Sequence, residues 1–138
     1  MNAIATEPSF EIRLDGDRRA YLPGETLAGE FSLRGASPAD VRAVELSVLW
    51  YTEGAGDEEL VVHFFQRQGP DNEGRLDAAR PRRFSTLLPN TPQSYEGVLV
   101  KIHWCVRARA FLRQGKEVLA EQAFLLGRVP PAIAVETP

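Results

Sequence analysis

Cysteine occurs once in this chain of 138 residues, at Cys105. No disulfide can form within the chain, so the core has to carry the fold, and the usage fits a reducing compartment. Histidine is nearly as scarce, with only His63 and His103, and just Lys101 and Lys116 are lysines among sixteen basic residues. A net charge of −3 lacks the basic excess that nucleic-acid binders carry. No apolar run approaches the ~20 residues needed to span a bilayer. The opening MNAIATEPSF has neither the basic n-region nor the apolar h-region of a secretory signal, so a cytoplasmic setting is expected. P-loop, G-x-S-x-G and dinucleotide signatures are missing, as are heptads and solenoid-length repeats. These absences predict a chain that is not an enzyme and carries no catalytic residues, metal or cofactor. The arginine-heavy basic set, with abundant alanine, points to a GC-rich bacterial genome.

What is present is the composition of one ordinary globular domain, 43% hydrophobic and 25% charged, long enough to bury a core unaided. Period-two alternation runs throughout. Phe10, Ile12 and Leu14 alternate with Glu11 and Arg13 before the turn Asp15-Gly16-Asp17. After Pro23-Gly24, the residues Leu27, Gly29, Phe31 and Leu33 share one face, and Ser37-Pro38-Ala39-Asp40 breaks the chain again. Val44, Leu46, Val48 and Trp50 then oppose Glu45, Ser47 and Tyr51, and Gly54 to Glu59 reads as a hairpin tip. Leu60 to Gln66 is apolar on both faces apart from His63, which leaves its register open. Gln68 to Arg83 is polar, with Arg75 to Arg80 equally consistent with a helical turn or a loop. Further strands are predicted at Phe84–Leu88, from Val98 onward and at Val118–Leu126. Seven or eight short strands without a long helix predict an all-β, immunoglobulin-like antiparallel sandwich over residues 1–128. A proline-marked tail is predicted over 129–138.

The strand from Val98 is the most strongly patterned. Its even positions, Val98, Val100, Ile102, Trp104, Val106, Ala108 and Ala110, are expected in the core. Each aliphatic side chain buried there contributes about 1.5–3 kcal/mol at most. Trp104 needs one partner for its indole N–H. Keeping even residues inward on both arms of the next hairpin predicts Val106 opposite Phe124 and Arg109 opposite Glu121. The loop would then be Gln114 to Lys116, or a bulge at Gly115.

Several of these segments resemble the arrestin superfamily, in particular a lobe of the N-terminal type. Tyr21-Leu22-Pro23-Gly24-Glu25-Thr26-Leu27-Ala28-Gly29-Glu30-Phe31 is similar to that family's Y-x-P-G-E-x-v-x-G-x-v segment. Phe84-Ser85-Thr86-Leu87-Leu88-Pro89, then Pro92, Ser94-Tyr95-Glu96-Gly97 and the run to Ala108, resemble F-x-l-x-l-P followed by P-x-S-x-E-G and an alternating strand. The resemblance implies a non-enzymatic adaptor or scaffold that binds a protein or peptide. One lobe is present where arrestin-like proteins usually have two, and Pro130-Pro131-Ala132-Ile133 is not a PPxY motif. Edge-strand addition or a loop end is the expected mode of binding, with homo-oligomer formation through a sheet edge.

Four residues of the odd face, Lys101, His103, Arg107 and Arg109, are the candidate partner contacts. His103 and Cys105 share that face and could form a nucleophile or half a metal site. Without a third group the pair reads as a partly covered sheet surface with an inert thiol. Asp57-Glu58-Glu59 lacks the spacing of a calcium loop and reads as solvated. Arg80, Arg82 and Arg83, with Lys101, Arg107, Arg109 and Arg113, could form an anion-binding patch, but nearby carboxylates favour a mixed face. The rival reading is a small-ligand or carbohydrate-binding sandwich using Tyr51, Phe65 and Tyr95.

Overall fold

The computed structural model describes residues 7–127, and the predicted tail 129–138 lies outside the described residues. Nine strands follow one another: β1 (Ser9–Leu14), β2 (Ala20–Tyr21), β3 (Thr26–Arg34), β4 (Val41–Gly54), β5 (Leu60–Gln68), β6 (Arg82–Leu87), β7 (Tyr95–Glu96), β8 (Val100–Leu112) and β9 (Glu117–Leu126). They form two layers. One sheet has the order β1-β3-β6, and the other β2-β9-β8-β4-β5, with β7 beside the start of β8. All pairings are antiparallel except β2 with β9. The predicted sandwich is therefore the observed architecture, with more strands because β2 and β7 are two residues long.

The core lies between the layers, where Leu27, Phe31, Leu33 and Phe84 of the small sheet meet Leu46, Val48, Trp104, Val106 and Phe124 of the large one. Trp104 finds its partner in the Pro92 carbonyl, at 2.7 Å. Tyr21 meets Phe124 edge-on at 5.6 Å. The Pro23-Gly24 segment forms the predicted turn: Glu25 N–H donates to Leu22 O, and Gly24 has φ +85°. One carboxylate oxygen of Glu25 accepts from Leu22 N–H at 2.7 Å and from Arg18 at 2.8 Å. Those bonds, Arg18's first, hold the Glu25 carboxyl below its usual range. The same turn is tied to the Leu88 segment by Gly24 N–H to Leu88 O and Leu88 N–H to Glu25 O. The two separated stretches that carry the arrestin resemblance thus interlock.

Two expectations need correction. Val98 does not enter the core. It is 99% exposed, and β8 begins at Val100, because Val98 and Leu99 turn the chain from β7 into β8. The β8–β9 register pairs Trp104 with Phe124, Ala108 with Ala120 and Arg107 with Glu121. Even residues do face inward on both strands, but the pairing lies two residues from that predicted. The loop is Arg113–Gly115, with Gln114 and Gly115 at positive φ, so the reversal occurs one residue earlier than expected. Of the two readings open for Arg75 to Arg80 the structure has the loop: residues 69–81 join β5 to β6, place Leu76 and Ala78 in the core and donate Leu76 N–H to Pro38 O.

The ambiguous strand β5 also has a physical explanation. Val62 faces Leu49 while Phe64 faces the adjacent Val48, so His63 is an extra, bulged residue. A bulge shifts the parity of the strand, so no single alternation could describe it. His63 Nε2–H donates to Leu87 O across the sandwich at 2.8 Å.

Candidate functional site

The large sheet turns its odd residues outward, and the candidate contacts lie there. Register aligns Val62, Leu49, Cys105 and Ala123 in one row across four strands. The next rows hold Leu60, Tyr51 and His103 on one side, and Phe65, Ser47, Arg107 and Glu121 on the other. Among the described residues no second layer covers this face, yet Leu49 and Cys105 are only 1% and 3% exposed. Their neighbours in the adjacent rows shield them: the Tyr51 and His103 rings lie 5.0 Å apart, and Arg107 bonds Glu121.

Each predicted contact residue already has an acidic partner. Lys101 lies 3.8 Å from Glu96, and His103 Nε2–H donates to Glu53 at 2.7 Å. Arg107 Nε donates to Glu121 at 2.7 Å, and Arg109 lies 3.4 Å from Glu117. The stripe is therefore a charge-balanced lattice rather than a naked cationic groove. The second arginine group lies elsewhere: Arg83 pairs with Asp15 on the small sheet, and Arg82 bonds Gln68 and the Asp77 carbonyl. The single patch of Arg80, Arg82, Arg83, Lys101, Arg107, Arg109 and Arg113 is not assembled.

Burial pushes the Cys105 thiol up to about 12, with a smaller contribution from Glu121. A thiol so placed holds almost no thiolate at neutral pH and is a poor nucleophile. Among the described residues, no three His, Cys, Asp or Glu side chains gather where one ion could reach them. Asp57, Glu58 and Glu59 are exposed at the β4–β5 tip. The three aromatics are dispersed, with Tyr51 on β4, Phe65 on β5 and Tyr95 on β7 beyond β8.

Sequence reasoning expected an exposed sheet edge without saying which strand forms it. Among the described residues, strand β5 ends the large sheet; it is nine residues long and exposes Leu60, Val61, Val62 and Phe65. Only Arg67, next to its last residue, is charged, and it contains no proline or lysine. Such an edge lacks the usual protection against strand addition, apart from the bulge at His63. The two-sided apolar run LVVHFF was the available signal, but a buried central strand reads the same way.

The fold and this outer face define a class, the two-layer arrestin-like β-sandwich. Mouse arrestin domain-containing protein 1 is 37% identical over 107 residues, covering 72% of this chain and 25% of that protein. The human protein of the same name is 36% identical over the same length and coverage. The chain thus spans about a quarter of these relatives. No family model matches it. Among solved structures, the sporulation control protein Spo0M from Bacillus subtilis superposes with TM-score 0.59 at 15% identity, covering 88% of this chain and 49% of that one. A superoxide reductase (neelaredoxin) from Ignicoccus hospitalis superposes with TM-score 0.51 at 12% identity, covering 86% and 80%. At these identities the structural likenesses speak to fold alone. The sequence relatives and the architecture together place the chain in the arrestin-like superfamily.

Proposed function

We propose that this lobe is a non-enzymatic adaptor module that takes an extended segment of a protein partner along β5. The observation that carries this is the nine-residue edge, whose outward backbone groups and exposed Leu60, Val62 and Phe65 offer both ladder bonds and side-chain contacts. Strand addition draws affinity from the main chain and specificity from alternate side chains. The predicted contacts Lys101, His103, Arg107 and Arg109 lie on β8, two strands in from β5. An added strand would sit roughly 14 Å from them, at about 4.8 Å per strand. They engage only a partner broad enough to spread over the outer face. The covered, weakly acidic Cys105 supports a non-catalytic role.

The test is affinity capture from native extract using wild type, Val62→Lys and Val62→Pro. Both substitutions blunt an edge, by charge or by loss of a donor. The expected result is loss of the captured partner in both variants, with amide exchange across Leu60–Gln68 slowed in the wild-type complex. Undiminished capture by both folded variants would remove β5 as the site. Capture lost instead with Arg107→Glu would assign binding to the outer face.

A further inference from the structure

The two ends of the large sheet differ in both shape and charge. At one end, Gly97 N–H donates to Val100 O at 3.0 Å, closing a two-residue hairpin turn with Val98 and Leu99 at its centre. Two-residue turns most often carry Asn, Asp or Gly at positive φ, whereas neither Val98 nor Leu99 lies at positive φ. Here the central pair is apolar and projects into solvent, with Leu99 72% exposed. The pair is held in place by Ala55 N–H donating to Leu99 O at 2.9 Å. Gly54 packs so closely that a Cβ there would overlap the Leu99 carbonyl. An exposed apolar pair, a knob in place of the usual polar turn residues, marks a contact surface.

Carboxylates surround this knob. Glu53 and Glu96 flank it from β4 and β7, and Asp57, Glu58 and Glu59 occupy the neighbouring tip. Among the described residues, those last three have no salt-bridge partner. Lys101 is engaged by Glu96, and Arg19 lies beside the Tyr95–Leu125 cleft.

The opposite end is complementary. The fourteen residues of β4 separate it from the knob by roughly 40 Å at about 3.3 Å per residue. A cavity of about 380 Å³ opens there, with Ala43, Phe111 and Leu112 as its apolar floor and Arg42, Arg67, Lys116 and Glu117 around it; Arg67 is bonded to Glu45 and Glu117 faces Arg109, so Arg42 and Lys116 carry the free positive charge. The Arg67 guanidinium lies 5.6 Å from the Phe111 ring centre. Arg42 projects because it is a bulged residue between Val41 and Ala43. Among the described residues, neither Arg42 nor Lys116 has a salt-bridge partner.

We infer that the chain associates head to tail with a second copy of itself: Val98 and Leu99 of one copy enter the Arg42–Lys116 cavity of the next. The carboxylate collar meets the cationic rim, so charge orients the encounter while apolar burial holds it. The knob and the cavity are different surfaces, so each added copy leaves one of each free and growth is open-ended unless the rotation closes a ring. An anionic bilayer is disfavoured at the knob by the same collar. Of β5 the contact touches only Arg67, next to the strand's end, and none of Leu60, Val62 or Phe65, so it stands or falls separately from the edge-strand reading.

The test is sedimentation equilibrium of the full chain over a concentration series at low and high ionic strength. The expected weight-average mass climbs past twice the 15.3 kDa of one chain. It should fall back as the Debye length shrinks from about 10 Å at 0.1 M to about 3 Å at 1 M salt. Val98→Ser with Leu99→Ser should weaken association at least tenfold, as loss of a central apolar anchor does. Arg42→Glu with Lys116→Glu should do the same. An equimolar mixture of the two double variants keeps one intact knob and one intact cavity, and should stop at a dimer. A wild type that stays at one chain, or plateaus at two, would overturn the inference without recourse to any variant. So would a mixture that remains monomeric, or a monomeric wild type that instead binds lipid vesicles through Val98 and Leu99.

Discussion

Replacing Trp104 by phenylalanine tests whether the segment before β7 is bound into the core as described. Trp104 is 1% exposed, its ring lies 5.9 Å from that of Phe124, and its indole N–H donates to Pro92 O at 2.7 Å. Phenylalanine keeps an aromatic ring but removes that donor. Leaving the Pro92 carbonyl unpaired costs about 1–3 kcal/mol. The void left by the smaller ring adds on the order of 1 kcal/mol. The expected loss is about 2–4 kcal/mol, which lowers Tm by roughly 6–15 °C in a chain of this size. Urea unfolding followed by far-UV circular dichroism would show a lower midpoint at an unchanged slope. Trp50 remains as an independent fluorescence reporter. A loss below about 1 kcal/mol would refute the reasoning, because it would mean the bond and the packing contribute little.

Two further outcomes are expected. Double-mutant cycles should couple Arg107 with Glu121 by roughly 0.2–1 kcal/mol and Arg109 with Glu121 by almost nothing; the reverse order would restore the register that the sequence pattern first favoured. The Cys105 thiol is raised from 9.0 to about 12, so the unfolded chain loses its proton first as pH rises. This contribution to stability is complete below pH 9 and is lost progressively toward pH 12. Cys105→Ala should therefore flatten the decline of the urea midpoint across that window, and identical slopes in the two proteins would contradict the buried-thiol picture.

Much of the fold was legible because burial imposes periodicity. The alternation of Val44, Leu46, Val48 and Trp50, and of Trp104, Val106 and Ala108, corresponds to inward faces in the structure, while Ile102 of the same series is only partly buried and lies outside the core. The Pro23-Gly24 turn was legible because few residues reverse a chain in that way. Reading failed where local pattern and tertiary demand diverged. The bulge at His63 changes parity within an apolar run. Val98 continues the even series but lies in a turn, since alternation does not say where pairing stops. Register between β8 and β9 depends on which loop residues accept positive φ, and Gln114 does so here, although it is not glycine. Lys101, His103, Arg107 and Arg109 share one face of β8, but their pairing with Glu53, Glu96, Glu117 and Glu121 was only partly anticipated.

By itself the sequence determined the class of fold, the inward faces of its long strands and the two motifs that carry the arrestin resemblance. These are properties of spacing along the chain, which hydrophobic burial and backbone stereochemistry translate directly into structure. Only the tertiary structure decided that β5 is an open edge rather than a buried strand, that Cys105 is shielded on an outer face, and that an apolar, acid-collared turn and a cation-rimmed cavity lie at opposite ends. Those facts depend on which strands are neighbours and which surfaces remain uncovered, and contacts between residues distant in sequence set both.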